Sequence, residues 1–384
     1  MPPAFAASTR NDPIAIARVL CILGVVYVHA WTGRTGEELA HMAGSGQELL
    51  RWTVMEGLGK SAVPLLGMIS GYLLAGSRRA LHWRSHVSAK ARTILLPMLL
   101  WNAIAIGCVS GAAMAGLIQA PVPHSARWMI EEMLALTRAP DINVQMPFLR
   151  DLFVCMLIAP WLVRWRPPAL ALLAAAIAGV AVIGLPQPLL LRPIILLFFV
   201  TGMIAGKTVL AERAAALPLI VALLPFLLLM PVKVALSLPP APFSVSHPHA
   251  MALLDLAMRI AAALAFWRMA HGIAQTRLRI PLLRIEPYAF FLFCAHLVLI
   301  WLGGPAIGQW TGPLGTPLYP TFLLMQPLLA LAASILLAKA ISHISPRAAR
   351  ILSGGRLARS DDGLAPARKM PSAKRQVRPT PAAA

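Results

Sequence analysis

PIAIARVLCILGVVYVHAW, residues 13–31, decides how the rest of the chain is read. At about 1.5 Å of helical rise per residue it is long enough to cross most of the ~30 Å of bilayer hydrocarbon. A soluble helix would pair an apolar stripe with a polar face. This stretch is apolar all round, with Arg18 and His29 as its only basic residues. It starts after Asp12-Pro13, carries a charge and is followed by many similar stretches, which sets it apart from a cleaved signal peptide.

Working outward, nine more apolar runs follow at 54–74, 93–117, 148–163, 169–185, 189–205, 214–236, 251–269, 288–307 and 318–341. The fourth to sixth of the ten are short. Composition agrees with lipid as the solvent. Of 384 residues, 58% are hydrophobic and 12% charged, with mean hydropathy +0.72, whereas a soluble domain carries about 25% charged residues. Pro64, Pro97, Pro160, Pro225 and Pro231 lie inside runs and are expected to kink helices, because neighbouring groups re-satisfy the freed carbonyls. The fold class expected is all-α: a polytopic membrane bundle of about ten transmembrane helices. Three regions result: a short N-terminal segment 1–12, a transmembrane region 13–341, and a basic, disordered tail 342–384.

The formal charge of +20 could point to nucleic acid. Its distribution excludes that reading, because the basic residues sit in alternate loops and in the tail, not interleaved with aromatics on one surface. Of the 34 Lys and Arg residues, 23 fall in one alternating set of segments and 5 in the other. That is the positive-inside pattern, so both termini are expected in the cytoplasm, with anionic membrane lipids as the electrostatic partner. Cys21, Cys108, Cys155 and Cys294 lie in apolar runs without metal-ligand spacing and read as free packing cysteines. His247-Pro248-His249 lacks a carboxylate nearby, and no metal site is expected. Serine-hydrolase, phosphate-loop and dinucleotide signatures are absent. Residues 125–137 (SARWMIEEMLALT) form an amphipathic surface helix in this reading, with Ser125 as its cap.

An ionisable group in a membrane helix costs a few kcal/mol or more and needs a partner or a purpose. Arg18 and His29 are eleven positions apart. Eleven steps of about 100° return within roughly 20° of the start, and the rise separates them by about 16 Å, so they share one face near opposite ends. By position alone, each could equally snorkel to its own interface. Glu56 with Lys60, and Asp255 with Arg259, are i,i+4 pairs that can neutralise each other. Arg150 and Asp151 lie at the depth of His29, and His296 sits in the ninth run.

The stretch RVLCILGVVYVH, Arg18 to His29, resembles the first-helix signature of the membrane acyltransferase-3 family, an Arg and a His separated by ten residues. VPLLGMISGYLL (63–74) is similar to the second span of that family. LHWRSHVSAKARTILLPMLLW (81–101) is similar to its basic loop and Pro-containing third span. PFLRDLFVCMLIAP (147–160) and YAFFLFCAHLVLI (288–300) are similar to two later landmarks. The resemblance covers roughly 13–341. It departs from the family at Lys90-Ala91-Arg92, where the family pattern of paired basic residues has arginine. Lysine keeps the charge but loses the bidentate fork.

The resemblance implies an integral-membrane O-acyltransferase that moves an acyl group, acetyl first among the options and succinyl among them, from acyl-CoA to a sugar hydroxyl. It implies a bacterial inner-membrane location, no permanently bound cofactor, and acetyl-CoA as co-substrate. It assigns catalysis to His29 and Arg18 and donor binding to Arg78, Arg79, Lys90 and Arg92, while Arg150, Asp151 and His296, placed by depth in their spans, are expected to support the site. A histidine can accept and return a proton near neutral pH, and a basic loop suits the donor phosphates. The acceptor expected is an exopolysaccharide, cellulose or a heteropolysaccharide, or another surface glycan, with a polysaccharide synthase or export complex as a possible partner. A transporter or flippase for a lipid-linked saccharide is the alternative. It would also need charges in its spans, but no special Arg18–His29 pair.

Overall fold

The structure is a computed structural model. It describes residues 11–137, 140–185, 190–238 and 246–357, and the described residues form helices and no strands. Arg10, Arg138, most of the N-terminal segment and the tail beyond 357 lie outside them. The principal helices are α1 (Asp12–Val28), α2 (Gly46–Ala75), α3 (Trp83–Met114), the short α4 (Ala126–Leu134), α5 (Met146–Leu162) and α6 (Pro167–Ile183). They continue with α7 (Pro193–Lys207), α8 (Leu219–Ser237), α9 (Pro248–Ile273), α10 (Arg279–Thr311), α11 (Tyr319–Ile344) and α12 (Pro346–Leu352).

Each of the ten apolar runs falls on a helix. Among the described residues six helices, α2, α3 and α8 to α11, are long and apolar enough by themselves to cross a membrane. α1, α5 and α6 have 17 residues each and α7 has 15; α7 turns by 88° into the short helix Leu210–Ala216. The protein is thus a multi-pass membrane protein. Its lipid-facing side shows in Leu172, Ile220 and Leu228, whose side chains lie exposed on α6 and α8.

α1, apolar on every side, occupies the middle of the bundle, packed by α2, α9, α10 and α11. This is where an all-round apolar helix can bury itself. The closest helix pair is α2 with α7. α2 carries Gly67-Met-Ile-Ser-Gly71 and α7 carries Gly202-Met-Ile-Ala-Gly206, and small residues at this spacing let two backbones touch. A Cβ on Gly71 would collide with the Phe199 carbonyl, and one on Gly202 with the Met68 carbonyl.

Three π turns interrupt the helices, at Met55–Lys60 in α2 and at Ala91–Leu95 and Ile106–Ser110 in α3. Pro64 and Pro97 follow closely after the first two. A widened turn spares the carbonyl that a proline ring would otherwise strike. Pro160, Pro225 and Pro231 lie within continuous helices, as expected.

The amphipathic helix is present as α4, capped by the Ser125 hydroxyl, which accepts the Trp128 N–H at 3.1 Å. For residues 342–357 the expectation of disorder needs correction; the rest of the tail lies outside the described residues. α11 runs to Ile344, and α12 follows at once, with the Ser345 hydroxyl accepting the Ala348 N–H at 3.3 Å. Ala349, Leu352 and Leu357 are buried, and the Trp101 indole donates to the Leu352 carbonyl at 3.1 Å. These few apolar residues dock the segment, a signal that the overall basic, Ala/Pro-rich composition hides.

Candidate functional site

Arg18 and His29 open onto two different hollows. Arg18 lines a cavity of about 480 Å³ whose wall includes Arg79, His86, Lys90 and Arg356. The guanidinium of Arg18 also donates to Glu286 on α10 at 3.3 Å. His29, the residue that ends α1, lines a second cavity of about 340 Å³ with Lys60, Gln145, Arg192, Lys233 and Asp255. The two cavities share Phe148 and Phe293 in their walls, with ring centroids 5.7 Å apart.

A residue at a helix end keeps a fixed position only if the chain beyond it is tied. Here Trp31 is the tie. Its N–H donates to Gln326 Oε1 at 2.8 Å, and its carbonyl accepts from Gln326 Nε2 and the Tyr319 hydroxyl, each at 3.1 Å. The Trp31 ring occupies the space left by Gly304 and Gly308 on α10. On the other side, α1 crosses the π turn of α2 with almost no separation: a Cβ on Gly24 would strike the Leu58 carbonyl. That crossing carries Glu56 and Lys60, paired at 2.6 Å, to the His29 cavity.

His296 stands beside His29, with ring centroids 5.5 Å apart. Its Nδ1 lies 2.9 Å from the Phe293 carbonyl and 3.2 Å from that of Leu292, so the proton sits there. Nε2 is therefore the lone-pair nitrogen; it is buried and makes no hydrogen bond among the described residues. Gln145 has a similarly fixed polarity. Asn143 Nδ2 donates to Asn102 Oδ1 at 2.9 Å, which leaves Asn143 Oδ1 to accept from Gln145 Nε2 at 3.4 Å. Gln145 Oε1 is then a buried acceptor with no partner among the described residues, in the wall of the His29 cavity. The segment is held from outside by Glu132 of α4, which accepts the Asp141 and Ile142 N–H groups at 2.6 and 3.3 Å. Burial pushes the Glu132 carboxyl up, against the pull of those donors.

The structure thus brings together Arg18, Arg79 and Lys90 at one cavity and sets His29 in the wall of the other, with the His296 ring beside it but outside that wall. It does not bring the remaining sequence-predicted residues there. Arg78 and Arg92 are exposed and belong to neither wall, because the turns on each side of α3's first residues point them outward. Arg150 and Asp151 also line neither cavity. Asp151, fully buried, pairs with Arg150 at 2.6 Å and accepts the N–H groups of Leu191 and Arg192. Its work is to anchor the loop that delivers Arg192. The Asp255–Arg259 pair forms as expected, at 2.6 Å, and Lys233 joins it at 3.3 Å on the cavity wall. Sequence reasoning missed Glu286, Gln145, Lys233 and Arg356. Of these only Lys233, a charge inside an apolar run, announced itself.

Comparison with known proteins places the chain in a family. A family model described as an acyltransferase domain matches residues 13–342. The succinoglycan biosynthesis protein ExoH of Rhizobium meliloti (strain 1021) is 29% identical over 367 residues, covering 89% of this chain and 92% of the relative. No solved structure matches. The matched region holds the Arg18–His29 helix and both cavities apart from Arg356, and it favours the enzyme over the saccharide transporter. The chain belongs to acyltransferase family 3 and is a multi-pass membrane acyltransferase.

Proposed function

We propose that the protein moves an acyl group from acyl-CoA, bound at the Arg18 cavity on the cytoplasmic side, to a sugar hydroxyl of an exopolysaccharide presented at the His29 cavity. The observation that carries this reading is the pair of cavities at the two ends of α1, meeting at Phe148 and Phe293. One wall gathers cations suited to the donor phosphates, and the other gathers groups suited to proton transfer. The ~16 Å between Arg18 and His29 suits a long, thin thioester arm reaching from one to the other.

In this reading a sugar hydroxyl approaches the lone pair of His29. Its oxygen bonds to the thioester carbonyl carbon as the proton passes to the imidazole. The carbon–sulfur bond then breaks, and the imidazolium returns the proton to the departing thiolate. Gln145 Oε1 accepts a hydrogen bond from a neighbouring hydroxyl, and the His296 ring packs beside that of His29. Acetyl is the simplest cargo. A second reading, a dicarboxylic half-thioester such as succinyl, is favoured by the excess of Lys60, Arg192, Lys233 and Arg259 over Glu56 and Asp255 around His29. Label from acetyl-CoA and from succinyl-CoA, followed into glycan in the same membranes, distinguishes them. The relative's name, which speaks of succinoglycan biosynthesis, supports a glycan acceptor. A cytoplasmic acyl-CoA pool requires the inner membrane, with a glycan synthase or export complex supplying the acceptor.

Arg79→Ala with Lys90→Ala should raise the KM for acyl-CoA about 100-fold and leave that for acceptor unchanged, since each charge-assisted phosphate contact contributes about 1.5–3 kcal/mol. Arg78→Ala with Arg92→Ala should stay within about 3-fold of wild type. Equal effects from the two pairs would remove the donor role from the Arg18 cavity. Orientation is checked separately. A reporter fused after Ala384 should read as cytoplasmic and one inserted near Gly44 as periplasmic; the reverse pattern would put the cationic cavity on the wrong side for CoA.

A further inference from the structure

We propose that Arg356 is a donor-binding residue, and that 346–357 is a strap whose purpose is to bring it to the Arg18 cavity. This rests on the reading of that cavity as the acyl-CoA site. Arg356 lies beyond residues 13–342, the part that matches the family. It nevertheless shares a wall with Arg18, Arg79 and Lys90, a wall that includes no carboxylate among the described residues. Even with Glu286 paired to Arg18, four cationic side chains meet at one hollow, an arrangement suited to a polyanion. The phosphates of a nucleotide thioester are such a polyanion, and an arginine fork suits them better than a lysine.

The strap is built to fix that side chain. The bond from Trp101 to the Leu352 carbonyl docks α12 against α3. Gly354 and Gly355 then turn the chain with φ of +59° and +82°, a conformation side chains resist. A Cβ on Gly354 would press on the Thr93 carbonyl at 2.5 Å, so the turn sits directly on α3. Beyond the turn, the Leu357 N–H donates to the Ser353 hydroxyl at 3.2 Å and the Leu357 side chain is buried. Between these anchors the Arg356 guanidinium lies 3.8 Å over the Phe290 ring and donates to the Ser353 carbonyl at 3.1 Å. Stacking on an aromatic face holds the planar head in place at the cavity wall.

The test uses the full-length protein in detergent, with acyl-CoA turnover and with CoA alone as a thermal-stability probe. Arg356→Gln keeps a planar head over Phe290 but removes the charge. It should raise the KM for acyl-CoA about 10-fold or more, leave the KM for acceptor unchanged, and reduce the stabilisation by CoA. Arg356→Lys keeps the charge and should fall between, about 3- to 10-fold. If Arg356→Gln does not accumulate, the lysine variant decides, and a wild-type KM overturns the proposal. A donor KM that responds to Arg79 and Lys90 but not to Arg356 would sink this inference and leave the donor site standing. No acyl-CoA dependence in the wild type would sink both.

Discussion

Membranes carrying His29→Ala are expected to transfer no acyl group above background, while holding nearly as much folded protein as wild type. A positioned general base contributes about 10²–10⁴ in rate, and no neighbour can take its place at the same point. His296 comes nearest and keeps a lone pair on Nε2, yet its ring is 5.5 Å away and is not part of the cavity wall. Stability should survive, because His29 lies at a helix end and the fold there is secured by Trp31 with Gln326 and Tyr319. Arg18→Ala should also be severe, and it leaves the Glu286 carboxylate without its partner. Arg18→Lys should retain part of the activity through its charge. The measurement is label moved from acyl-CoA to glycan, normalised to folded protein. Wild-type transfer by well-inserted His29→Ala would remove His29 from the chemistry.

The second large effect is of the opposite kind. Gly71→Leu should leave almost no folded protein, so activity disappears with the molecule rather than within it. The added side chain meets the Phe199 carbonyl, which is backbone and cannot rotate away. α2 and α7 would have to separate along their whole glycine ridge, losing the close packing that associates helices in lipid. The cost should exceed about 3 kcal/mol, in the range reserved for core overpacking. Gly202→Leu should behave the same way, from the Met68 side. Gly179→Ala, which meets open space, is the control and should be silent. Size-exclusion profiles of detergent-solubilised protein read all three. A monodisperse Gly71→Leu peak of normal height would mean that the α2–α7 contact is not what holds the bundle.

How much of this was legible beforehand depends on the range of each interaction. Helix positions are local and were visible: each apolar run lies on a helix, and six of the described helices are long enough by themselves to cross a membrane. Arg18 and His29 were visible too, because a basic residue in an apolar helix stands out and the helical repeat puts both on one face. Glu286 was not, since its contact with Arg18 joins residues 268 positions apart and nothing in either stretch names the other. Gln145 escaped for a different reason: its importance comes from the direction of a hydrogen-bond chain through Asn102 and Asn143, and direction has no sequence signature. In the loop before α3, charge alone could not separate Arg79 and Lys90 from Arg78 and Arg92. Backbone turns make that choice. Arg150 and Asp151 were read as site residues from depth, whereas the carboxylate's actual neighbours are N–H groups of a distant loop.

The π turns at Met55–Lys60 and Ala91–Leu95 fix the register of the chain in a way that matters for its history. Each holds about one residue more than an α turn, so losing one residue there would let the helix close up and swing everything beyond by about 100°. In α2 that would turn Gly67 and Gly71 away from α7. In α3 it would take Trp101 from the strap and Asn102 from Asn143. Insertions and deletions among descendants of this chain can therefore accumulate in the connecting loops, but at these two turns the count of residues is itself an inherited trait.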